Sequence, residues 1–484
     1  MFLGSSVSDK SSSLKPIHPW IHSLHVYFLP GPSTPLQKRT AAGLKEAFAR
    51  LGHDVQVAPD DRTDVIFSFA PFGEPLRWRD APFFQARRKF GLQKMPIVWT
   101  LIHARPQPWA DLLAHFEAAL AKNPPDLADF EFPGMAPTAH ITLLEQGGRG
   151  GPIMAAERTL QAQALCLRLL LLIGEETLEY AYHFDLVGAV VRTDGADPAF
   201  YEDVVLRVAT VASAEEVSKS IVIPPPVPAA VWTRLSVPAA MRNASLELGR
   251  RNFFTEMVRI ADLVTVPALQ DAIASQYSEG CFATWEPELD ALIATITGSA
   301  RPVDKGNIGD DDLAVISGIK EDGQGVLVRR VEGLRNDPPS SEAFEMWDMD
   351  ILLPTVTLAD GQRVPAARSK LHGHRGVAAY DPRTVEYAPM PSSYFYYPVT
   401  CGTQAQAHGI KGAFARSEAL QNPDDPRQVI FTILPTHGIF VIEKWVDGKA
   451  PFQVIWEEMD AGRLQIESRI PQGPEVFEPA VVTG

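Results

Sequence analysis

The sequence predicts an α/β protein: two Rossmann-like parallel α/β domains, then a mainly antiparallel, β-barrel-like C-terminal domain. Three observations predict it. From residue 24 to residue 103, short apolar runs alternate with helix-period segments, the order that builds a parallel sheet. A strand, Gly-rich turn and helix pattern resumes at residue 140. Beyond Asp304, short β-rich runs are separated by Asp-Gly and Gly-Gln turns, as in antiparallel pairing. The 484 residues suit about three domains. The expected divisions are a polar leader over 1–20, α/β units over 21–150 and 151–300, and a β-rich unit over 301–484.

The elements follow in order. Residues 24–31 read as a buried strand closed by Pro-Gly, and residues 35–51 as a helix with Leu36, Ala41, Leu44, Phe48 and Leu51 on one face. Strands are expected in 54–59, 64–71 and 96–103. In such a sheet the loops after the strands form the ligand rim, which here carries Ser33, Thr34, Glu74, His103 and Arg105. The same residue types also cap helices. No Gly-x-Gly-x-x-Gly follows the first strand, which disfavours a dinucleotide site. The Gly-rich turn at 147–151, with Arg149 as its anion partner, lacks a P-loop ending and also reads as a plain crossover. Residues 164–173 read as a buried helix, 184–191 as a strand, and 200–217 as a helix. Residues 223–228 read as a stiff proline connector and 238–263 as one long amphipathic helix. Residues 289–296 have helical apolar spacing, and 452–460 continue the strand pattern of the C-terminal third.

Composition narrows the function. A net charge of −15 argues against a nucleic-acid binder and against an anionic membrane surface. Three widely spaced cysteines form no disulfide framework and fit a reducing cytoplasm. The longest apolar run is too short to span a bilayer.

The chemistry is concentrated between Tyr277 and Asp304. Glu279 stands in a Ser-Glu-Gly turn, and Asp304 ends a short extended piece after Gly298-Ser299. A helix, a turn and a strand between them would let the two acids face one another. Such a pair holds a hard divalent cation or works as an acid and a base. The plainer reading is two solvated acids. The run Glu279-Gly280, helix, then Gly-x-x-x-Pro-Val-Asp resembles the metal-site segment of the L-fucose isomerase and L-arabinose isomerase superfamily. The resemblance covers 30 to 40 residues, roughly counted, and departs from the fucose branch at Cys281, where that branch often carries Asp. It implies that Glu279 and Asp304 bind a divalent metal, usually manganese, and serve as the catalytic acids.

The C-terminal third supplies the remaining candidates. His372 and His374 would share one face of a strand, and two imidazoles beside an acid pair suit a divalent metal. By chain order they are the nearest counterparts of the family's middle histidine, and His437 resembles its late one. Trp285, His408 and Arg375 are candidate substrate contacts, and the aromatic run Tyr394–Tyr397 reads as core or as a sugar-stacking surface.

The resemblance thus implies a manganese-dependent aldose–ketose isomerase acting on a small sugar through a cis-enediol, in a homo-oligomer. A non-catalytic carbohydrate-binding or regulatory descendant of that fold is the alternative. A glycosyltransferase is the second, suggested by the opening strand–loop–helix.

Overall fold

The structure is a computed structural model. It describes residues 22–72, 96–111, 114, 169–184, 190–194, 198–213, 217, 219–251, 253, 280–297, 303–373, 375–391, 402–434, 438–467 and 479–482. Glu74, Arg149, Glu279, His374, His437, the leader 1–20 and the run 394–397 lie outside the described residues.

The N-terminal sheet has seven strands: β1 (His25–Phe28), β2 (Asp54–Val55), β3 (Val65–Pro71), β4 (Ile97–Ala104), β5 (Leu169–Gly174), β6 (Leu178–Phe184) and β7 (Val190–Asp194). They lie in the order β2-β1-β3-β4-β5-β6-β7. The first five are parallel, as the alternation of strands and helices predicts, and β6 and β7 run antiparallel. Two corrections follow. Strands on both sides of residue 150 share one sheet, so the two separate parallel sheets expected here are one mixed sheet. The apolar run that reads as a buried helix contributes β5, whose Leu170, Leu171, Leu172 and Ile173 are wholly buried. A strand covered on both faces has no polar side, so its sequence shows no period that separates it from a buried helix.

Helices α1 (Pro35–Arg50) and α2 (Pro198–Ser213) pack against each other on one face of this sheet. Gly43 lies where they touch: a Cβ built there would come within 2.4 Å of the Tyr201 ring. Alanine normally favours a helix over glycine by about 1 kcal/mol. Gly43→Ala is nevertheless expected to destabilise, by about 1–3 kcal/mol, because the methyl overpacks the helix crossing. Urea unfolding of the variant checks this; a gain in stability would show that the ring moves aside freely.

The second sheet has nine strands in the order β17-β18-β19-β15-β9-β10-β11-β12-β8. They are β8 (Ser220–Val227), β9 (Cys281–Glu286), β10 (Ala291–Thr295), β11 (Leu313–Ile319), β12 (Val326–Val331), β15 (Ala367–Gly373), β17 (Val385–Tyr387), β18 (Val429–Leu434) and β19 (Gly438–Lys444). A hairpin, β13 (Thr355–Thr357) and β14 (Arg363–Pro365), stands apart, as do β16 (Gly376–Tyr380), β20 (Leu464–Glu467) and β21 (Ala480–Val481) in a three-stranded sheet. Seven consecutive strands are antiparallel, as expected of the C-terminal third, and parallel pairs stand at the two ends. The ladder is open, with β17 and β8 as its edges, so the expected barrel is not closed among the described residues.

Both faces are covered, because successive residues alternate between two cores. Cys281, Ala283 and Trp285 enter one core, while Phe282 enters the other. The first core lies under α5 (Ala343–Asp348), α6 (Gln404–Phe414) and α7 (Glu418–Gln421). The second lies under α3 (Ala229–Trp232), α4 (Val237–Arg250) and α8 (Gln453–Asp460).

Four sequence expectations change here. The proline connector is the edge strand β8. That position tolerates Pro224, Pro225 and Pro226 because an edge leaves N–H groups unpaired anyway. The long helix expected over 238–263 is α4, which ends at Arg250 with Arg251 as its C-cap; residues 254–263 lie outside the described residues. The expected helix 289–296 is the β9–β10 hairpin, turning through Pro287–Leu289 with Asp290 in a left-handed conformation. The strand expected at 452–460 is α8.

Candidate functional site

Strand β15 places Lys370 and His372 on the face covered by α5, since residues two apart in a strand share a side. Across the ladder His372 is paired with Cys281 of β9 on one side and Phe440 of β19 on the other. The imidazole stacks on the Phe440 ring with centroids 4.7 Å apart. Its Nδ1 is 2.8 Å from the Ile439 carbonyl oxygen. A carbonyl only accepts, so Nδ1 carries a proton. Nε2 is 3.0 Å from Oε1 of Glu342.

Glu342 stands at the N-cap of α5 and accepts from the Cys281 thiol, 3.2 Å from Oε2. The carboxylate therefore bridges a thiol and an imidazole in a site with almost no solvent: His372 is 0% exposed and Glu342 3%. Burial pushes the Cys281 thiol well up, and the Glu342 charge adds to this. Lys305 and a hydrogen bond from Ser340 pull the other way without prevailing. Cys281 is thus a hydrogen-bond donor and not a ready nucleophile.

Glu345, one helical turn on, points into the same core and is wholly buried. Among the described residues, neither carboxyl oxygen meets a donor at hydrogen-bonding geometry, although the amides of Glu345 and Gly402 approach it. Burial, then the Glu342 charge, raise its pKa well above the usual carboxylate range. Glu345 therefore holds its proton more tightly than an ordinary carboxyl, and it does so beside the Glu342 carboxyl.

A buried lysine reaches the site from the opposite face. The 303–309 loop is clipped to α4 through Ser245, whose hydroxyl donates to the Lys305 carbonyl at 2.7 Å and accepts from the Ile308 amide at 3.0 Å. Gly306 lies against Gly249, so close that a Cβ on Gly249 would come within 2.8 Å of the Gly306 oxygen. The loop directs Lys305 Nζ to the Gly280 carbonyl, next to Cys281. Farther along the face, Lys370 is ion-paired with Asp350 and also donates to the Met346 carbonyl.

The residues expected from sequence are distributed differently. Asp304 is exposed and accepts from the Gly306 amide at 3.0 Å, while its neighbour Lys305 turns inward. His372 has both ring nitrogens directed at protein atoms. Among the described residues, no group of three or more His, Cys, Asp or Glu is arranged to hold a metal ion. Of the expected substrate contacts, Trp285 is core, its ring 5.1 Å from that of Trp347. His408 is exposed on α6, and Arg375 is buried with Nε 3.4 Å from the Phe253 carbonyl.

The N-terminal rim is structural where described. Thr34 is the N-cap of α1 in a capping box with Gln37. His103 bridges Thr34 Oγ1 and the Gly174 carbonyl, each at 2.8 Å. Ser33 bonds only the Gly31 carbonyl, and Arg105 lies 3.8 Å from Glu175.

Glu342, Glu345 and Lys305 were not singled out by sequence reasoning as site residues. One signal was present: Glu342 and Glu345 are three apart within Ala343-Phe344 and Met346, so acids fall on the apolar face of a short helix.

No family model matches the chain, and no curated protein is significantly similar to it. No described helix is long and apolar enough to cross a membrane.

Proposed function

We propose that the chain transfers protons on a small polyhydroxylated carbonyl compound, in the manner of an aldose–ketose isomerase. Glu342 is the base and Glu345 the acid. The observation that carries this reading is two buried carboxyl groups three residues apart, Glu342 between His372 and Cys281 and Glu345 with its pKa raised by burial and by the Glu342 charge. Isomerisation through a cis-enediol needs that pair: a base takes the proton beside the carbonyl, and an acid protonates the carbonyl oxygen. His372 keeps Glu342 oriented, with its own Nδ1 fixed by the Ile439 carbonyl.

Manganese, implied by the family resemblance, enters no step here, because the two described members of the expected ligand set, Asp304 and His372, do not fit a shared ion.

The test is proton exchange. Aldoses and ketoses are incubated with the protein in D2O, with and without added Mn2+, and deuterium at C2 is followed by NMR. Incorporation is expected, and Glu342→Gln is expected to slow it about 100-fold or more. No incorporation with any sugar, with or without the metal, would reject the proposal. The complete burial of Cys281, His372 and Glu345 favours a second reading, a carbohydrate-binding descendant without turnover. Calorimetric sugar binding without exchange would select it.

A further inference from the structure

We infer that His183 is an acid-sensitive latch between α2 and the seven-stranded sheet. His183 lies on β6 across the ladder from Leu170 of β5, on the side covered by α1 and α2. It is 5% exposed, and among the described residues neither ring nitrogen has a hydrogen-bond partner. Its ring meets that of Trp99 edge-on, with centroids 5.4 Å apart.

Among the described residues, the charged groups acting on it, Arg207 and Asp203, both come from α2. Arg207 is also buried, with Nε on Asp203 Oδ2 at 2.8 Å and, among the described residues, no partner for Nη1. Burial first, then Arg207, hold the imidazole pKa down to about 3, and Asp203 opposes this only in part. The docked state has no place for a proton on His183, since it would add a second buried cation beside Arg207. When α2 lifts away, the ring meets water and takes a proton at its ordinary value near 6.5. A group whose folded pKa is depressed below its open value favours opening as pH falls, by about tenfold per unit below 6.5. Because α1 rests on α2 through Gly43 and Tyr201, opening also removes the support of α1.

Hydrogen exchange of peptides covering 198–213 tests this on the full chain, corrected for intrinsic rates. Between pH 6.5 and pH 4.5 the opening equilibrium is expected to rise about 50-fold in the wild type. It is expected to stay within about threefold in His183→Gln, whose amide does not titrate. Arg207→Met, which removes the like charge, is expected to weaken the acid response. Unchanged wild-type protection, or the same acid response in His183→Gln, would overturn the inference. If His183→Gln does not protect α2 even at neutral pH, Arg207→Met decides alone, and a wild-type response from it rejects the latch.

Discussion

Replacing Glu342 with alanine is expected to lower the unfolding free energy by about 3 kcal/mol, and replacing it with glutamine by only about 1 kcal/mol. Alanine removes the carboxyl group that accepts from the Cys281 thiol and lies 3.0 Å from His372 Nε2, and both partners are wholly buried. A buried pair that loses one member leaves the other desolvated and uncompensated, which is the larger part of the cost. Glutamine has nearly the same shape: its oxygen accepts from the thiol, and its amide donates to the imidazole. Proton transfer, unlike stability, needs the carboxylate, so glutamine is expected to keep the fold and lose the exchange activity. Urea titration of both variants measures the difference. Equal losses below about 0.5 kcal/mol would mean that the pair does not hold α5 to the sheet.

On the opposite face, Glu443 is expected to make stability fall by roughly 3 kcal/mol as pH rises from about 4.5 to about 7. Its carboxyl accepts from the Phe452 amide, and from the Val454 amide at 3.2 Å, at the start of α8. Phe452 sits in the left-handed region at φ 67°, an uncommon position for a bulky side chain. Burial pushes the Glu443 carboxyl up to about 7, although those amides, Ser369 and Arg368 oppose it. The folded protein keeps this proton up to neutrality, whereas the unfolded chain releases it near the ordinary value. Glu443 therefore favours folding most fully below the unfolded pKa, loses that contribution as pH climbs through 7, and adds no further slope above it. The comparison that isolates it is the pH profile of Glu443→Gln, which should gain roughly 3 kcal/mol on the wild type between pH 4.5 and pH 8. Parallel profiles would show that the carboxyl is ionised throughout.

Much of the N-terminal sheet was legible because its local signals agree. β1, α1, β3 and β4 each have the apolar period of their element, and α1 opens on a Thr-Pro start with Gln37 three residues after Thr34. β11, β12, β18 and β19 were equally plain from β-branched runs between turns. The readings that failed lie where period carries no information. β5 and β10 are buried on both sides, so Leu292 and Ile293 suit a helix face as well as consecutive strand positions on opposite faces of a covered sheet.

The candidate site was legible only in part. His372 was recognised as chemically significant, and a strand was the expected setting for it. Its neighbours were not, because each comes from a distant place in the chain: Cys281 from β9, Lys305 from a loop clipped to α4, and Glu342 and Glu345 from α5. By itself the sequence determined the α/β class, the first four parallel strands, the antiparallel character of the C-terminal third, and the net charge of −15. Only the tertiary structure decided that Lys305, not Asp304, turns inward, and that Glu345 is wholly buried with its pKa raised. The reason is physical. Strand and helix periods are set by residues a few positions apart, whereas the ionisation of a carboxyl is set by which charges and how much water surround it, and folding fixes both.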